Sequence, residues 1–171
     1  MRIGLIADTH VPTIMKEIPD QVITAFEGVD LILHAGDVQV PRALDWLERI
    51  APVICARGNN DGFMEDPRME PVQIQHLEDL TIAVIHTFTY PNLALDYYYT
   101  NHFKQKVDIV VYGDTHLESV DWHDGLLMIN PGSPVAPGPN MAVKLGSVAI
   151  LEVKAGQAEA WIVQLRDLPV P

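Results

Sequence analysis

Short apolar runs recur along the first two thirds of the chain, and they end alike. Ile3–Ala7 leads into Asp8 and His10, Leu31–Leu33 into His34 and Asp37, and Val53–Ala56 into Asn59 and Asp61. Ile82–Ile85 stops at His86, and Val107–Tyr112 precedes Asp114 and His116. Runs this short, bounded by turn residues, read as buried strands. Between them lie stretches of helical spacing. Pro19–Glu27 carries Val22, Ile23 and Phe26; Pro41–Ile50 carries Ala43, Leu44, Trp46, Leu47 and Ile50, with Pro41 suited to a first helical turn. Leu93–Lys106 is a third expected helix. Strand–helix alternation implies parallel strands joined by helical crossovers.

The pattern changes after residue 117. Glu118–Trp122 and Leu126–Ile129 flank His123-Asp124-Gly125, and Ser147–Lys154 and Gln157–Leu165 flank Ala155-Gly156. Both pairs read as hairpins, so antiparallel strands are expected there. Pro131–Asn140 holds four prolines and two glycines and is expected to be loop. No repeat or linker divides residues 1–171, which are expected to form a single domain. The fold class that fits is α/β, with two packed mixed sheets flanked by helices.

Charge narrows the partners. The net charge is −12, and the 11 Lys and Arg residues are scattered. The basic patch that nucleic-acid binding needs is missing. A phosphate-bearing ligand would meet an unfavourable overall field, so its attraction must be local, and bound cations could supply it. No segment approaches a membrane span. The first apolar stretch is one strand long and delivers Asp8, unlike a secretory leader. The lone Cys55 sits inside an apolar run and suits a reducing compartment. A cytoplasmic location is expected, and a homo-oligomer is compatible with the composition.

In open α/β sheets, ligands gather at the carboxyl ends of strands. Here those ends carry carboxylates, imidazoles and one carboxamide, a set suited to Mn²⁺, Fe²⁺, Zn²⁺ or Mg²⁺ and unsuited to soft-metal sites. Taken singly, Asp8 or Asp37 suits a cap or turn and His86 a core position. Their recurrence points instead to one dinuclear centre at a sheet rim. Asp37 follows Gly36, and its two oxygens could each serve one cation. Asn59 offers a neutral oxygen, and His86 and His116 offer imidazoles. Asp114 stands two residues before His116, echoing Asp8-Thr9-His10. His34 reads as a structural residue or one orienting a ligand, and Asp61 as a turn residue or one orienting a ligand. Ser133 lacks an evident base. His76, His102 and His123 have no assignable partner; of Tyr97, Tyr98 and Tyr99 at most one or two could line a cleft, and packing is their expected role. Dinucleotide, Walker and serine-hydrolase motifs are absent.

The order Asp-x-His, Gly-Asp, Gly-Asn-x-Asp, His, Gly-x-Thr-His, Asn-Pro-Gly-Ser resembles the calcineurin-like metallophosphoesterases, nearest to their small bacterial and archaeal phosphodiesterase branch. The resemblance runs from the first strand to Asn130-Pro131-Gly132-Ser133. It implies a four-layer α/β/β/α sandwich and two divalent ions bridged by an aspartate and a hydroxide, Mn²⁺ first, with Fe, Zn, Ni or Mg as alternatives. By that resemblance Asp8, His10, Asp37 and His116 hold one ion, and Asp37, Asn59, His86 and Asp114 the other. The implied activity is phosphoester hydrolysis, with a small phosphodiester as substrate. Three positions differ from the family pattern. Asp114 and Asn60 stand where relatives carry histidine, and Thr87 follows His86 where glycine is usual. The histidine at position 60 is a candidate acid for the leaving group. Asn60 can hydrogen-bond a phosphoryl oxygen but cannot donate a proton as an acid would. The alternative is a catalytically weak or inactive interaction module on the same fold, for which a retromer subunit is the precedent the resemblance suggests.

Overall fold

The computed structural model describes residues 1–138 and 145–171. The sheets are built from strands β1 (Arg2–Ile6), β2 (Leu31–His34), β3 (Val53–Ala56), β4 (Met69–Glu70), β5 (Val72–Leu77), β6 (Leu80–Ile85), β7 (Ile109–Val111), β8 (Ser119–His123), β9 (Leu126–Asn130), β10 (Ser147–Lys154) and β11 (Gln157–Gln164). The helices are α1 (Gln21–Ala25), α2 (Pro41–Glu48) and α3 (Leu95–Tyr98). One sheet runs β11-β10-β1-β2-β3-β4 and the other β5-β6-β7-β9-β8. The crossover strands β1 to β4 are parallel, as are β6, β7 and β9, while hairpin partners are antiparallel. Both sheets are therefore mixed.

Strand alternation separates three apolar layers. Along β10, Val148 and Ile150 face α1 and α2, packing with Val22, Phe26, Leu44 and Leu47. Ala149, Leu151 and Val153 face the other sheet, meeting Ile3, Leu5, Ile82, Val84, Ile109 and Leu127. The second sheet turns Ala83, Ile85 and Val110 outward onto Phe88, Tyr98 and Phe103. Helix, sheet, sheet, helix is the resulting order: a four-layer α/β/β/α sandwich.

Two hairpins turn where expected. Asp124-Gly125 and Ala155-Gly156 have positive φ at both residues, matching the right-handed twist of their strands. A third turn, Glu78-Asp79 between β5 and β6, adopts the same left-handed pair without a glycine, so β5 escaped the sequence pattern. The expected helix Leu93–Lys106 is mostly something else. After the single turn of α3 the chain makes a π-helical turn at Tyr99–Phe103. Its buried anchors Tyr98 and Phe103 stand five residues apart, a π rather than α spacing. Lys104 ends it at φ 61°. The loop expected at Pro131–Asn140 is irregular over 131–138, and its last two positions lie outside the described residues. Among the described residues, no helix is long and apolar enough to cross a membrane.

Candidate metal centre

Five strands deliver the candidate ligands to one edge of the sandwich, three from one sheet and two from the other. Asp8 and His10 follow β1, Asp37 follows β2, Asn59 follows β3, His86 follows β6, and Asp114 and His116 follow β7. The loops are laced together by backbone bonds: Asp8 N–H donates to Gly36 O at 2.9 Å, His10 N–H to Asp37 O at 3.0 Å, and Gly113 N–H to His86 O at 2.9 Å. Asp8, His10, Asp37, Asp114 and His116 all have left-handed backbone, with φ between 44° and 72°. Asp and His tolerate that region better than most residues, and its clustering at one place marks a site rather than a fold requirement. Two glycines let the loops close. A Cβ at Gly58 would collide with the backbone and carboxylate of Asp37, and one at Gly113 would sit 2.7 Å from Asp8 Oδ2.

On one side, His116 Nε2 lies 3.6 Å and His10 Nε2 3.9 Å from Asp8 Oδ1, and the two Nε2 atoms are 3.2 Å apart. On the other, Asp37 Oδ1 lies 3.4 Å from His86 Nε2, while Asp37 Oδ2 lies 3.7 Å from His10 Nε2. Asp37 thus turns one oxygen to each side. His86 Nε2 also lies 2.9 Å from Asn59 Oδ1 and 3.7 Å from Asp114 Oδ1. Asp114 is the outlier: its side chain is 41% exposed and accepts a bond from Thr87 Oγ1 at 3.2 Å.

The histidines are oriented from behind. His86 Nδ1–H donates to Ala35 O at 2.7 Å and His116 Nδ1–H to Ala136 O at 2.9 Å, which frees each Nε2 lone pair toward the centre. His10 is held by Gln39, whose amide lies 3.1 Å from Nδ1. Turning that amide over would place its oxygen on Nδ1–H and free the third Nε2. Gln39 was not among the residues the sequence singled out, and no motif marks it beyond its place two residues after Asp37.

Electrostatics point the same way. Asp8 Oδ1 is buried and has no hydrogen-bond partner. Burial, with the neighbouring Asp37 charge, lifts the Asp8 carboxyl to about 8 against the pull of His86. For Asp37, burial is outweighed by hydrogen bonds from His86 and from the backbone and side chain of Asn60, giving about 2. Burial would lower His86, but its bond to Asp37 and the charges of Asp37 and Asp8 lift it to about 9. Burial lowers His10. An unpartnered buried carboxyl oxygen beside the Nε2 atoms of His10 and His116 is a donor set that fits a cation. Asp8, His10 and His116 form one group with metal-ligand spacing, and Asp8, Asp37 and His86 another.

The remaining residues act as scaffold. The Asp61 carboxylate accepts four backbone N–H groups, from Asp37, Val38, Gln39 and Gly58, at 2.6–3.2 Å. It pins the Asp37 loop to the Asn59 loop. His34 is buried, held neutral by burial with its pKa lowered to about 3, and spans Thr9 Oγ1 and Gly36 N–H. Asn60 donates to Asp37 through its backbone at 2.8 Å and its amide at 2.6 Å. Ser133 donates to Asp8 O at 2.8 Å and accepts Val135 and Ala136 N–H, so it serves the loop. His76 lies 3.2 Å from Thr81 Oγ1, and His123 packs on Tyr90, both away from the ligands.

Comparison with known proteins agrees with this geometry. The chain is 34% identical over 166 residues to a Methanothermobacter thermautotrophicus protein described as "Probable metallophosphoesterase", covering 96% of this chain and 92% of that one. It is 31% identical over 152 residues to a phosphodiesterase of Methanocaldococcus jannaschii, covering 77% and 83%. A crystal structure of Vps29 from Entamoeba histolytica in complex with zinc shares the fold, with TM-score 0.72 and 21% identity over 96% of this chain and 99% of that one. The profile of the calcineurin-like phosphoesterase superfamily domain matches residues 1–156, and the chain belongs to that family of metallophosphoesterases.

Proposed function

We propose that the protein is a dinuclear metal-dependent phosphodiesterase acting on a small phosphodiester. In this reading Asp8, His10, Asp37 and His116 hold one ion, and Asp37, Asn59, His86 and Asp114 hold the other. The observation that carries it is the split of Asp37, one oxygen 3.4 Å from His86 and the other 3.7 Å from His10, beside the unpartnered Asp8 oxygen. Two divalent ions, when bound, would lower the pKa of water and neutralise charge on the phosphoryl oxygens. The chain's own residues fix where this happens. Asp37 sets the separation of the two positions. Ala35 and Ala136 carbonyls hold His86 and His116 in the ligating tautomer. Asn60 orients Asp37, and its exposed side chain is the candidate for contacting a phosphoryl oxygen. The oxygen-rich set favours Mn²⁺ over Zn²⁺, with Fe, Ni and Mg as alternatives. The buried thiol of Cys55 suits a cytoplasmic setting.

An interaction module without catalysis is the competing reading. It is weakened by the convergence of Asp8, His10, Asp37, Asn59, His86 and His116 at one edge. Metal analysis of purified protein, paired with turnover of bis(4-nitrophenyl) phosphate, decides between them. Two ions per chain and Mn²⁺-dependent release of nitrophenol are expected. Fewer than two ions at saturation would remove the dinuclear assignment, and absence of turnover with every divalent metal would leave the interaction module.

A further inference from the structure

A groove of about 350 Å³ opens beside the candidate centre and shares two of its residues, Asn59 and His86. Pro71, Val72 and Ile85 give it an apolar side, His102 and Thr87 stand on its wall, and Arg57 and Gly58 complete the lining, with the Arg57 guanidinium bonded to the Gly62 and Met64 carbonyls. His102 lies on the π-helical turn Tyr99–Phe103. Such turns interrupt regular helix at a cost and often accompany function. Here the turn brings an exposed imidazole to the groove while Phe103 is buried beneath it. The His102 ring packs against Tyr97 and Tyr98, with centroids 5.6 Å away in each case. Among the described residues its nitrogens have no hydrogen-bond partner. The site therefore has an apolar recess next to two candidate ligands and an unengaged imidazole on its wall. It also lacks a proton donor at position 60, because Asn60 stands there and is engaged with Asp37.

We propose that this groove is the leaving-group subsite and that His102 protonates the departing oxygen. The proposal rests on the phosphodiesterase reading above and narrows its substrate to diesters with one apolar, ring-sized ester group. Hydroxide derived from water forms the new P–O bond as the bond to the leaving group breaks. The electron pair stays on the departing oxygen, and the His102 imidazolium gives that oxygen its proton. The products are a phosphomonoester and a free alcohol or phenol, and solvent returns the proton to the imidazole. Pro71, Val72 and Ile85 hold the departing group by apolar burial.

Methyl 4-nitrophenyl phosphate and methyl phenyl phosphate differ mainly in how much their leaving groups need a proton. With Mn²⁺ present, His102→Ala should lower kcat about 10²-fold on the phenyl ester, the scale of general-acid assistance. It should change the nitrophenyl ester less than about threefold, since a good leaving group gains little from the same assistance. His102→Gln keeps the packing on the tyrosines and should behave as His102→Ala. Val72→Phe, which fills the recess, should raise KM for both esters about tenfold, the loss expected for one buried ring. A readout free of turnover is the shift of the His102 ring and Val72 methyl NMR signals when phenol is added to EDTA-treated protein; Val72→Phe should abolish it. Equal losses on both esters, or none, would overturn the acid role. Absence of a phenol shift would overturn the groove assignment. If wild type cleaves neither ester with any divalent metal, the phosphodiesterase reading falls and takes this one with it.

Discussion

The two halves of the candidate centre are built differently. Asp8, His10 and His116 are buried, whereas Asn59 is exposed and the Asp114 side chain is 41% exposed. The buried half is fastened from several directions: Ser133 bonds the Asp8 carbonyl, Asp114 N–H reaches Asp8 Oδ2 at 3.1 Å, and Ala136 holds His116. The open half depends on two loop side chains and on His86. One half is thus part of the sandwich, and the other is where the chain can vary its chemistry. Asp114, one of the three positions that differ from the pattern the resemblance implies, lies on the open side, and the groove bearing His102 opens there too.

Asp37 joins the halves, so its loss should be the most damaging change. Asp37→Ala is expected to leave at most one weakly held ion and to lower kcat/KM by about 10³-fold or more, since metal stabilisation of the transition state amounts to several kcal/mol. Calorimetric titration with Mn²⁺ gives the stoichiometry. Two ions bound as tightly as in wild type would show that Asp37 does not bridge. Asp8→Ala should instead weaken one site and spare the other.

Asp61 touches no candidate ion position, yet it holds the loops of both halves. Asp61→Ala would strand four backbone donors, and leaving buried groups unpaired costs about 1–3 kcal/mol apiece before relaxation. Loss of such an outer partner typically weakens metal affinity about 10–100-fold. A lower melting temperature together with weaker Mn²⁺ binding is expected. Unchanged affinity in a destabilised protein would confine Asp61 to the fold.

Acidity separates the metal-free and loaded states. Asp8 titrates near 3.8 when unfolded and about 8 when folded, so the folded state loses ground as pH rises between those values. His86 acts in the same sense: its contribution is complete below 6.5 and gone above about 9. Asp37, lowered to about 2, contributes above 3.8 and does not oppose them in this range. EDTA-treated protein should therefore melt at lower temperature as pH rises from about 6 to about 9. Ion binding needs unprotonated ligands, so the rise in melting temperature on adding Mn²⁺ should grow over the same window. A metal-free melting temperature that climbs toward pH 9 would mean that Asp8 and His86 do not carry these protons.

The smallest effect is expected at the exposed candidate, Asp114. Asp114→His removes one negative charge from the open half, so inorganic phosphate should inhibit more tightly and Zn²⁺ should compete better against Mn²⁺. Changes within about tenfold are expected, because the interaction is partly screened by solvent. If neither phosphate inhibition nor metal preference moves, Asp114 points away from the ions.

The strand ends were legible because burial on both faces of parallel strands leaves an unbroken apolar run, and the residues after it must turn. That logic marked Asp8, Asp37, His86 and His116, which the structure places at one edge of the sandwich, though on two sheets rather than at the rim of one. It did not find Gln39, whose importance comes from a contact with His10 across 29 positions, nor the four amides gathered by Asp61. It overextended the third helix because Leu93–Lys106 is rich in helix-compatible residues, while the spacing of Tyr98 and Phe103 is set by packing on the second sheet. It passed over β5 because Val72–Leu77 alternates with Gln73, Gln75 and His76 on a half-buried edge strand.

The position of β1 has a consequence for biosynthesis. Its neighbours are β2, a short way along the chain, and β10, with Ile3 opposite Leu151. Strand β1 therefore leaves the ribosome with one edge unpaired and stays so until β10, Ser147–Lys154, has been made. The loop holding Asp8 and His10 gains Ser133 and His116 only in that late stage. Pairings between distant segments are slow to form. An ion held by Asp8, His10 and His116 would thus be captured only after these late pairings and could not template the earlier strands, which leaves the growing chain to protect an open strand edge without help from metal.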